Sequence, residues 1–187
     1  MMTKNEIILT LLYSNHSTPI VGTTRLQKLL FLVEKEKGLE AEKESFNFEA
    51  FKFGPVSKAL YDDIEFLVNI GFLEKSGEDS RISEFSLDEI DKIKVEDLLE
   101  VTSDLISIDE GDDMEERTAN DDMIVYRVTE KGVNYLKENN LIESEESKKI
   151  EDIKKRYAKK SLNELLKYIY IKYPDYATES EIRDQVL

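Results

Sequence analysis

The chain has 187 residues, one histidine, no cysteine and a formal net charge of −15. The missing cysteine excludes disulfides, thiolate metal sites and cysteine nucleophiles, and fits a reducing cytoplasm. No apolar run approaches the roughly 20 residues of a membrane span, and the apolar stretch near Met1 lacks a small-residue cleavage site. The expectation is a cytoplasmic protein with no membrane association and one full core.

The charge is concentrated. Between Glu74 and Asp122 there are 19 acidic and 5 basic residues, while the rest of the chain holds 22 and 21. A near-neutral framework therefore carries one strongly acidic middle segment.

In chain order, Thr3 and Glu6 have the spacing of a capping box, and Ile7, Ile8, Leu11 and Leu12 form an apolar stripe. Together they predict a helix to about Ser14. After the loop NHSTPIVG, Thr24 and Gln27 offer a second box. That helix turns Leu26, Leu29, Leu30 and Val33 inward and ends near Lys37-Gly38. Phe46, Phe48 and Ala50 alternate with polar positions and predict a short strand or extended segment. Pro55 suits the first turn of a third helix. Its inner face is Val56, Ala59, Leu60, Ile64, Leu67 and Val68, and Gly71 caps its end.

Residues 76–122 read as an acidic insertion. Ser86 and Glu89 open one or two helices there, ahead of a disordered or mobile tip at DEGDDMEERTANDD. Beyond it, Ile124, Tyr126 and Val128 alternate in a strand that turns at Thr129 into a helix. ESEESKKIEDIKKRY reads as a charged helix, and Ser161 with Glu164 caps another that Pro174 ends. The fold class expected is α+β, mostly α. A winged-helix-like domain spans 1–140 and a C-terminal helical extension spans 141–187. The pairing of GFLEK with YRVTEKGVNYL is similar to the wing of MarR- and PadR-type regulators.

Two stretches carry a more specific likeness, TTRLQKLLFLVEKEKGLE and FNFEAFKFGPVSKALYDDI. Leu26 to Phe31, Phe48 to Val56, and Tyr61 follow a pattern that resembles the Panacea domain family, found in antitoxins such as the SocA type. The likeness covers residues 23–65, about a third of the chain. YIYIKYPDYATESEI also looks like the tail of some relatives. Phe51 stands where the family has Trp, and the acidic segment is larger than expected. The resemblance implies a non-enzymatic antitoxin or regulatory adaptor that acts by binding a partner protein, a toxin or regulatory target.

Gly54-Pro55 has two readings, strand-to-helix punctuation and the centre of an exposed aromatic-lined patch with Phe53 and Tyr61. The candidate partner-binding residues are Arg25, Lys28, Phe53, Gly54, Pro55, Lys58 and Tyr61. The alternative function is a winged-helix DNA-binding regulator. In that case the third helix, with Ser57, Lys58, Tyr61, Asp62, Glu65 and Asn69 outward, would enter the major groove. Two carboxylates beside one lysine oppose phosphate contact. The best basic cluster is Lys154, Lys155, Arg156, Lys159 and Lys160, whose plainer reading is a solvated face paired with Glu151 and Asp152.

Enzyme chemistry has little to stand on. His16 reads as an exposed loop residue, and there is no nucleophile elbow or phosphate-binding glycine motif. One His without Cys excludes a histidine-based zinc site, and DEGDDMEE lacks calcium-loop spacing. PDYATESE begins like a nuclease pattern but lacks the following Lys. Carboxylate-only magnesium chemistry stays open on residue types alone. No cofactor or metal is expected. The tyrosines at 168, 170, 173 and 176 read as core or homodimer packing rather than a base-stacking platform.

Overall fold

The computed structural model describes residues 2–38, 46–77 and 124–187. The helices expected in the acidic insertion and its mobile tip lie outside the described residues.

The described chain is mostly helical, with a small three-stranded antiparallel sheet. Its elements are α1 (Lys4–Ser17), β1 (Ile20–Val21), α2 (Thr23–Lys37), α3 (Ala59–Asn69), β2 (Leu73–Ser76) and β3 (Val125–Val128). Then follow α4 (Glu130–Glu138), α5 (Glu145–Tyr157), α6 (Leu162–Lys172), a 3₁₀ turn (Pro174–Ala177) and α7 (Arg183–Val186). Strand β3 is central, in the order β1-β3-β2. It pairs Leu73 with Val128 on one side and Ile20 with Tyr126 on the other.

The Thr3–Glu6 and Ser161–Glu164 capping boxes both form. Each serine or threonine oxygen accepts an orphan N–H, and each glutamate accepts the cap's own N–H. The box expected at Thr24–Gln27 does not form. Helix α2 starts two residues earlier, behind Gly22, which has no side-chain cap, and this frees the Gln27 amide for another task. No strand occupies 46–50 either. Glu49 and Val56 make an isolated antiparallel bridge, and the sheet's first strand is instead Ile20–Val21, inside the stretch read as loop. Pro55 lies before α3 rather than in its first turn.

Helix α2 is the centre of the molecule. Every residue from Leu26 to Glu34 is buried, polar ones included. Helix α5 packs on α1 and α2, and its Ile150, Ile153 and Tyr157 join the same core as α1 to α3. Phe31 sits at an aromatic junction, with Phe48, Tyr173 and Tyr176 packed edge-on at 4.8–5.4 Å. The tyrosines of the C-terminal segment are thus core and boundary groups.

The helical part of α1 ends early. Ser14 leaves helical geometry, and Asn15, His16 and Ser17 all have positive φ, between 54° and 59°. Left-handed backbone costs about 1–2 kcal/mol per non-glycine residue, so three in succession need external support. That support comes from α5.

Candidate functional site

The Gly54-Pro55 turn is bound into α2 by buried polar side chains. The Gln27 amide donates to the Ser57 carbonyl at 3.2 Å and accepts from the Ser57 N–H at 2.8 Å. The next residue, Lys28, is fully buried and donates to the Pro55 carbonyl at 2.9 Å. The Ser57 hydroxyl donates to the Phe46 carbonyl and accepts from the Leu60 N–H, taking the role of a cap for α3. Glu34 accepts the Phe46 N–H at 3.0 Å. Buried polar groups are tolerated only when paired, and these pair with one another across two distant stretches of chain.

Gly54 adds a steric condition. Its φ is +77°, and a Cβ there would lie 2.8 Å from the Tyr170 ring. Only glycine permits both the left-handed turn and this approach of α6. The turn is also tied to the C-terminal segment, where the Glu181 N–H donates to the Lys52 carbonyl and the two side chains pair at 2.9 Å.

This geometry corrects the proposed patch. Lys28, Gly54 and Pro55 are buried and offer no contact surface. Arg25 is half-buried, and its guanidinium donates to the carbonyls of Ala158 and Lys160 at the end of α5. The residues left at the surface are Lys58, Tyr61 and, in part, Phe53. Of the outward face expected for α3, Ser57 is buried, whereas Lys58, Tyr61, Asp62, Glu65 and Asn69 are exposed. Phe66 joins them, a residue that sequence reasoning did not single out. Tyr61 is 50% and Phe66 52% exposed, among the largest apolar exposures in the described residues. Their helix is otherwise well buried through Leu60, Ile64 and Leu67.

The basic cluster also comes apart. Lys154 is 1% exposed, and its ammonium donates to the carbonyls of Leu12, Ser14 and Thr18 at 2.7–2.9 Å. It holds the left-handed turn at the end of α1, and no phosphate can reach it. Burial pushes its pKa down to about 7. Lys155 and Arg156 are exposed but pair with Glu151 and Asp152 one turn back, at 2.8 and 2.9 Å. Lys159 is exposed and Lys160 half-buried.

A second cluster joins α2 to α5 and α6. Glu36 accepts from Tyr168, from Lys172 at 2.9 Å and from Tyr157 at 3.4 Å. Burial works against its charge, but the bonds from Tyr168 and Lys172 prevail and lower its pKa. Burial, then the bond to Tyr168 and the charge on Glu36, push Tyr157 up to about 12. A charged, satisfied carboxylate of this kind fastens helices and has no base to offer. His16 is exposed in the left-handed turn. Among the described residues no group of three His, Asp or Glu could hold a metal ion, and no helix is long and apolar enough to cross a membrane.

No protein-family model, curated protein or solved structure matches the chain.

Proposed function

We propose that the chain is a non-enzymatic, cytoplasmic regulator of the antitoxin or adaptor kind, which works by binding another protein through the exposed face of α3. The observation that carries this reading is the pair of half-exposed aromatics, Tyr61 and Phe66, on a helix whose start is fixed by the buried Gln27–Ser57 and Lys28–Pro55 bonds. Aromatic anchors on a rigid support are favoured at protein interfaces. The two stretches that resemble the Panacea family are the ones these bonds join, which supports the likeness. Element order α1-β1-α2-α3-β2-β3-α4 and sheet order β1-β3-β2 support a winged-helix-like framework.

Capture from native cell extract with the tagged full chain, followed by identification of what co-purifies, tests the reading. Tyr61→Ala should weaken capture by about thirtyfold, the effect of losing an anchor of ~2 kcal/mol. Its melting temperature should stay near that of the parent. Equal capture by parent and variant would remove Tyr61 from the interface, and failure to capture any specific protein would remove the function.

Duplex DNA is the competing partner. Asp62 and Glu65 are exposed on the helix that would face the groove, and the best basic cluster is divided between core and ion pairs. Random duplex should therefore bind more weakly than the ~10⁻⁴ M limit of ordinary non-specific binders. A gel shift at about 150 mM salt checks this, and tight, salt-sensitive binding would put DNA first.

A further inference from the structure

The exposed face of α3 has a chemistry that narrows its partner. Tyr61 and Phe66 bracket Asp62 and Glu65 over successive turns, since residues three and four apart share a helix face. The one cation of that face, Lys58, leans toward Glu49 at 3.8 Å. The face is apolar and net negative at once.

Charge then separates the occupants. Nucleic acid is a polyanion, and a second copy brings another −15. A two-fold contact through this face would set one copy's carboxylates against the other's. Like charges juxtaposed at an interface cost several kcal/mol, so both are disfavoured. A cationic protein segment is complementary to both features.

We propose that α3 docks a cationic segment of the partner protein, one presenting arginine around an apolar side chain. The inference rests on the reading that the chain binds another protein, and it names that partner's chemistry. Asp62 and Glu65 accept from guanidinium, which pairs with carboxylates bidentately. The half-exposed Phe66 ring offers a face over which the same planar group stacks. Arginine is thereby preferred to lysine, which carries the charge without the plane.

The test uses the full chain and three fluorescein-labelled helical peptides of one apolar pattern, flanked by Arg, by Lys or by Glu, read by fluorescence anisotropy. The Arg peptide should bind saturably, the Lys peptide more weakly and the Glu peptide not at all. The double variant Asp62→Lys/Glu65→Lys should lose about tenfold or more in affinity for the Arg peptide, in line with charged contacts at interfaces. A matched reversal on the exposed acids Glu143→Lys/Glu145→Lys should change it little. No saturable binding, equal binding of Arg and Lys peptides, or equal losses in the two double variants would each overturn the proposal. The underlying reading fails separately. A natural partner captured equally by the parent and Asp62→Lys/Glu65→Lys would overturn the assignment to α3 and leave protein binding intact. Peptide docking with no partner captured would do the reverse.

Discussion

Lys154→Met should destabilise the protein by about 3 kcal/mol or more, since buried groups left without partners cost ~1–3 kcal/mol each. Methionine, unbranched and one atom shorter than lysine, keeps the packing beside Ile150, Ile153 and Tyr157, but it removes all three hydrogen bonds at once. The carbonyls of Leu12 and Ser14 would be stranded, and that of Thr18, an exposed residue, would be left to water. The three left-handed residues that end α1 would lose what offsets their strain. Opening should start there, so amide exchange at Thr18 and Ile20 should accelerate more than exchange in the core of α2. Relief of the ammonium's desolvation opposes the loss, and a variant as stable as the parent would mean that relief prevails.

The same lysine gives a pH signature. Its pKa is about 7 in the fold against 10.5 ordinarily, so between those values the unfolded chain binds more protons. Stability contributed through this group rises with pH across that window and levels off below it. The gap in stability between parent and Lys154→Met should therefore widen from pH 7 toward pH 10. Denaturant titrations of both proteins at several pH values measure it, and a constant gap would contradict the shift.

Gln27→Met should cost about 2–4 kcal/mol, because it strands both the N–H and the carbonyl of Ser57 in a buried site. A methionine of similar volume leaves little cavity, so the loss reports the two hydrogen bonds. Denaturant unfolding gives the value. A loss below about 1 kcal/mol, the worth of one ordinary hydrogen bond, would mean that the turn holds itself and the clamp is incidental.

The local signals of the sequence translated well where one stretch of chain decided the outcome. Thr3 with Glu6 and Ser161 with Glu164 needed only their own helix to form boxes. The outward face of α3 was legible from helical spacing, apart from Ser57 and Phe66. What escaped depended on distant partners. Ile20–Val21 is too short to show alternation and becomes a strand only by pairing with β3. Lys154 was read as surface because it lies in a run of cations. Yet it stands four residues after Ile150 and three before Tyr157, on the buried stripe of α5, and that spacing was the available warning. Gln27 and Lys28 are buried because α2 is enclosed on all sides, which the dense run LLFLV hints at. No local rule names Ser57 and Pro55 as their partners.

The buried Gly54-Pro55 turn builds the fold, and the exposed α3 face is the surface proposed for the partner. Thermal melting and partner capture, measured side by side for Gln27→Met and Tyr61→Ala, test that division most directly. Gln27→Met should melt well below the parent. Tyr61→Ala should melt with the parent and lose the partner. A Tyr61→Ala protein that is strongly destabilised, or that keeps its partner at parental affinity, would contradict it.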